Sequence, residues 1–111
     1  MNKIPNSTSG CYILDDSGNP IPASHLKWGR WFATHNRSVS QTQATPSIRV
    51  STVFLGVDHS WWTEGPPRLW ETMIFGGEHD QYQDRYSSLA DALEGHHRAV
   101  RLARGEATPD E

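Results

Sequence analysis

A single cysteine, Cys11, stands in a chain of 111 residues, and one cysteine closes no internal disulfide. That argues against a secreted disulfide scaffold. No apolar run reaches the ~18 residues that a membrane-spanning helix needs. The opening stretch, Met1 to Gly10, lacks the apolar centre of a secretory signal. These absences together point to a reducing, cytoplasmic setting and to no membrane partner. A basic excess is missing too: 10 Lys and Arg stand against 13 Asp and Glu, a net charge of −3. That balance weighs against binding to duplex nucleic acid, which favours a clustered basic face. No nucleophile elbow, phosphate loop, Cys-x-x-Cys pair or His-x-x-x-His spacing occurs. No catalytic residue, metal or cofactor is nominated on these grounds.

What the chain does hold is aromatic bulk. Five tryptophans, three tyrosines and three phenylalanines supply large side chains for a small core; each buries roughly 150–250 Å². The length suits one domain. Polarity gathers at the two ends, so residues 1–10 read as a flexible start, 106–111 as a flexible acidic tail, and 11–105 as one folded unit.

Along that unit, Tyr12-Ile13-Leu14 runs into the turn residues 15–20 and suggests a short N-terminal hairpin, confined to an edge by Pro20 and Pro22. Ser24 is a helix cap, and Trp28, Trp31, Phe32 and His35 share one side of a helix reaching about His35. Ser38 to Gln43 alternates as a strand. Ile48 to Val57 is dense in β-branched residues and predicts a strand buried on both faces in its second half. Leu69 to Phe75 predicts the next strand. Gly76-Gly77 opens an acidic loop running to Tyr86, and Ser88 caps a last helix that ends near Arg104, before Gly105. The expected fold is α+β: a three-stranded antiparallel meander plus the hairpin, packed with two helices.

The segments Val50-Ser51-Thr52-Val53-Phe54-Leu55-Gly56-Val57-Asp58-His59, Trp70-Glu71-Thr72-Met73-Ile74-Phe75-Gly76-Gly77, Arg85-Tyr86-Ser87 and Gly95-His96 resemble a family of small uncharacterised phage and prophage proteins. The resemblance spans roughly residues 26–100. It departs at Trp61-Trp62, where a glycine-rich stretch is more usual. It implies a phage-encoded accessory protein inside a bacterial host, and transfers no catalytic residue. By analogy, such proteins block a host protein or sequester a nucleotide, which makes counter-defence the leading expectation. The partners this leaves are a host protein, a small nucleotide ligand, or further copies of the chain in a homo-oligomer. A small enzyme or metal-binding protein using Asp58, His59 and Glu71 is one alternative. A minor virion or assembly component is another.

Candidate site residues follow from placement. Asp58-His59 and Glu78-His79-Asp80 fall at opposite ends of a hairpin whose strands span roughly 20 Å, so they cannot share a metal ion. His35, Asp58 and His59, with Arg37 and Arg68 nearby, fall at one end, either as an anion, metal or acid–base group or as a turn cap beside a solvated histidine. Glu71 shares a strand face with Leu69, Met73 and Phe75, so a core-facing orientation would need a partner, with Arg49 or Arg85 in reach, and it reads as a buried pair or as a ligand-binding carboxylate. His96 shares the apolar stripe of the last helix with Leu89, Leu93 and Val100, as a satisfied core histidine or a site residue. Trp61 and Trp62 lie in a loop with Gly65, Pro66 and Pro67, either as a contact surface or as one core cap and one ring packed on proline.

Overall fold

The computed structural model describes residues 4, 6–58 and 65–106. Eight elements follow one another: β1 (Cys11–Leu14), β2 (Pro20–Ala23), α1 (His25–Thr34), β3 (Ser38–Thr45), β4 (Ile48–Phe54), β5 (Trp70–Phe75), β6 (Gln83–Tyr86) and α2 (Leu89–Ala103). β1 and β2 form a separate two-stranded antiparallel sheet, and β3-β4-β5-β6 form a four-stranded antiparallel meander in sequence order. The α+β class stands; the three-stranded meander does not. β6 is the strand missing from the expectation. Its sequence, Gln-Asp-Arg-Tyr, has no β-branched residue, and only Tyr86 is buried. Pairing with β5 and one ion pair hold it in the sheet, rather than propensity.

Strand parity divides the sheet into two faces. Val50, Thr52 and Phe54 of β4 stand opposite Ile74, Thr72 and Trp70 of β5, and all six are buried. α2 lies on this face and touches all four strands. Ser51 and Val53, Glu71 and Met73, and Gln83 and Arg85 occupy the other face, which no helix of the described residues spans. α1 packs on the hairpin at the end of the sheet, where Trp31 meets Phe54 edge-on at 5.7 Å.

The buried side of α2 is made of Ala92, Gly95, His96, Ala99 and Val100. His96 and Val100 lie on it as expected, but Leu89 and Leu93 are exposed. Bulk comes from the sheet instead: Trp70 and Tyr86 fill the space, so the helix approaches with small residues. A Cβ at Gly95 would fall 2.2 Å from the Tyr86 hydroxyl. Ser88 Oγ accepts the Asp91 amide at 3.1 Å and starts the helix. Gly105, at φ +76, ends it, with the Gly105 amide donating to Leu102 O and the Glu106 amide to Arg101 O, the paired bonds of a Schellman stop.

β4 stops three residues earlier than its apolar run suggests. At Gly56 (φ +70) the chain turns toward the hairpin, where the Tyr12 amide donates to Gly56 O at 2.7 Å. A side chain there would meet Tyr12 O at 2.3 Å and Trp28 Nε1 at 2.8 Å. This turn brings β1 and α1 against the open end of the sheet.

Candidate functional site

A cleft of about 570 Å³ opens where α1 and β1 meet the uncovered face of the meander. Among the described residues, smaller concavities of about 390 and 410 Å³ lie along residues 6–9 and around the β6–α2 corner. Trp28 and Phe32 from α1 line the large cleft with Leu55 and Val57, while Cys11, Asp58, Glu71 and Arg85 also face it. Pockets of a few hundred cubic ångströms with apolar walls and a few polar groups are the usual shape of small-ligand sites.

Its rings are held before any ligand arrives. Trp28 and Phe32 stand one helical turn apart, with centroids at 4.6 Å and planes at 37°. Trp28 Nε1 donates to Leu55 O at 3.2 Å, which ties the indole to the segment leaving β4. Arg37 lays its guanidinium over the Phe32 ring at 3.5 Å.

The polar cluster is centred on Glu71. It is buried at 6% exposure, and its Oε2 accepts from Arg85 Nε at 2.9 Å and from Gln83 Nε2 at 2.7 Å. Register explains the meeting: Glu71 and Arg85 are direct cross-strand partners, and Gln83 lies diagonally two residues away on the same face. Arg85 engages Glu71 through Nε. Among the described residues its two terminal nitrogens make no hydrogen bond. Arg49, the other partner considered for Glu71, instead lies over Phe75 at 4.7 Å.

The remaining candidates sit elsewhere. His35 turns its Nδ1 onto Trp31 O at 2.9 Å and stacks on the Trp31 ring, so it faces its own helix. Asp58 lines the cleft and, like Arg68, is engaged by an interaction. His59, Trp61 and Trp62 lie outside the described residues. Among the described residues, no group of three or more His, Cys, Asp or Glu is placed to hold a metal ion. None of the described helices is long and apolar enough to cross a membrane.

His96 belongs to the core on the opposite face. Its Nε2 lies 2.9 Å from Thr42 Oγ1 and its Nδ1 2.8 Å from Thr52 Oγ1, which in turn meets Thr72 Oγ1 at 2.5 Å. A neutral imidazole fits this chain in either tautomer, since each threonine hydroxyl both donates and accepts. Burial holds the His96 pKa below its ordinary value, and neighbouring His97 adds to the shift. The Tyr86 hydroxyl stands beside this network, buried and short of a well-formed hydrogen bond, although Thr72 is close enough to act on it electrostatically. Burial raises its pKa above the usual phenol value.

Sequence reasoning offers Arg49 or Arg85 as the partner of Glu71, of which the structure takes Arg85, and misses the cleft walls. In the sequence, Trp28 and Phe32 mark only the apolar side of α1, and Cys11 stands in a polar stretch. Their i, i+4 spacing was the available signal; the position of α1 beside the sheet was not. No protein family, curated protein or solved structure matches the chain.

Proposed function

We propose that this chain is a non-enzymatic binding protein of the phage or prophage accessory type, acting in the bacterial cytoplasm by holding a partner in the cleft between α1 and the open sheet face. The partner is a small nucleotide-like ligand or a segment of a host protein, and counter-defence is the biological setting this reading favours. One observation carries it: a cross-strand Glu71–Arg85 pair set beside two pre-fixed aromatic rings, on the sheet face that no helix of the described residues spans. A pair held in this way orients a recognition group. The Glu71 oxygen that binds Arg85 also accepts from Gln83, an arrangement that suits positioning better than proton transfer.

Two measurements on the purified chain test the reading: capture of partners from host lysate, and a thermal-shift screen against nucleotides, each repeated with Trp28→Ala. A stoichiometric complex or a ligand-induced shift that Trp28→Ala abolishes is the expected result. Turnover of a substrate, or particle association indifferent to Trp28, would replace it with the enzymatic or virion alternative.

A further inference from the structure

We infer that the cleft selects a flat aromatic ring system carrying a single anionic group, with the rings against Trp28 and Phe32 and the anion on the terminal nitrogens of Arg85. The inference rests on the binding reading above and names the ligand class for that site.

Three features carry it. First, the apolar wall is aromatic and rigid: Trp28 is tied through Nε1, and Phe32 is clasped by Arg37. Fixed rings lose little conformational freedom when a flat partner stacks on them. Second, the carboxylates facing the cleft are already engaged. Glu71 Oε2 takes both Gln83 and Arg85, and Asp58 makes an interaction of its own. Third, among the described residues Arg85 is gripped only at Nε, which leaves the forked edge that suits a carboxylate or phosphate, on a side chain that is 23% exposed. One guanidinium offers a site for one anionic group, and a volume of about 570 Å³ accommodates a ligand of mononucleotide size or smaller. A long polyanion is disfavoured by the net charge of −3 and because, among the described residues, no Lys or second Arg lines the cleft.

The experiment uses the full chain, titrated by calorimetry with 5′-AMP, 5′-UMP and indole-3-acetate as anionic rings. Adenosine and indole-3-ethanol serve as neutral rings, and tryptamine as a cationic one. The Trp28 indole N–H resonance, assigned with Trp28→Phe, reports contact with the cleft. Anionic rings should bind and shift that resonance. Arg85→Gln should weaken them by about 10–100-fold, the usual effect of losing a hydrogen bond to a charged group. Arg85→Lys, which keeps the charge and tests against simple misfolding, should retain part of the affinity. The phosphate and carboxylate arms decide which anion the fork prefers.

Neutral rings binding as tightly as anionic ones, with the same Trp28 shift, would overturn the anion assignment and leave the cleft in place. Preferential binding of tryptamine would transfer recognition to Glu71 and overturn it in the same way. If no ring binds while Trp28→Ala still abolishes capture of a host protein, the ligand class is wrong and the binding reading stands. If Trp28→Ala changes neither, both fall.

Discussion

Replacing Thr52 with valine keeps the shape of the side chain and deletes one hydroxyl at the centre of the molecule. That oxygen bonds His96 Nδ1 at 2.8 Å and Thr72 Oγ1 at 2.5 Å, and all three residues are 2% exposed or less. No water reaches them to take its place. The loss is therefore two hydrogen bonds together with the stranding of two buried polar partners, each worth about 1–3 kcal/mol, offset in part by the added methyl group. The net expectation is a destabilisation of about 2–4 kcal/mol. For a domain of this size that lowers the melting temperature by about 10–25 °C. Urea unfolding at pH 8, with a common m-value for both proteins, measures the difference directly. Thr42→Val is the internal control: Thr42 is half-buried, so solvent can replace its hydroxyl on His96 Nε2, and the cost is about 1 kcal/mol or less. If Thr52→Val costs under about 0.5 kcal/mol, or no more than Thr42→Val, the chain Thr42–His96–Thr52–Thr72 is not the stabilising network described here.

The same histidine sets an acid limit. Because the folded state holds the His96 pKa below 6.5, the unfolded chain binds the proton more readily; stability is intact above pH 6.5 and falls as pH drops from there toward the depressed folded value. The slope from this one group is at most about 1.4 kcal/mol per pH unit, and His96→Gln, measured by urea unfolding between pH 5 and 8, should flatten it. Gly95→Ala would place a methyl group against the Tyr86 ring and should cost about 1–3 kcal/mol despite the higher helix propensity of alanine, read as a lowered urea midpoint. A double-mutant cycle on Glu71 and Arg85 should give a coupling of about 1–2 kcal/mol that survives high salt, because Glu71 is buried. The exposed Glu94–Arg98 pair at 3.8 Å should give about 0.5 kcal/mol or less and lose it in salt.

Elements whose residues carry their own local signal were readable from the chain. Ser24 and Ser88 cap where their side chains suggest, because a hydroxyl three residues ahead of an unpaired amide is a local interaction. β4 announces itself through its β-branched content. β6 does not, since its place depends on what stands opposite: Gln83 and Arg85 are tolerated because Glu71 lies across from them. The helix stripe failed for the same reason. Leu89 and Leu93 have the right period, but the sheet had already filled that volume with Trp70 and Tyr86. Glu71 with Arg85 was the recoverable part of the site, being a charge at a strand position that demands a partner. The walls of the cleft depend on where α1 docks, and that follows from the turn at Gly56, a long-range arrangement with no local signature.

Strand parity also separates the core face of the sheet from the cleft face. Along β5, Trp70, Thr72 and Ile74 enter the core beneath α2, while Glu71 and Met73 face the other way. Thr72 completes the His96 network and its neighbour Glu71 holds Arg85, so one strand carries both the most buried polar chain and the Glu71–Arg85 ion pair on alternate residues. The two groups share backbone but no side-chain contact given by their bonds. Changes at Arg85 are therefore expected to act on binding and, by stranding buried Glu71, on stability as well, while changes at Thr52 act on stability, with near-additive effects when the two are combined. A combined variant that departs from additivity by more than about 1 kcal/mol would mean that the α2 face and the cleft face move together. In that case ligand binding and helix packing would be one coupled equilibrium rather than two.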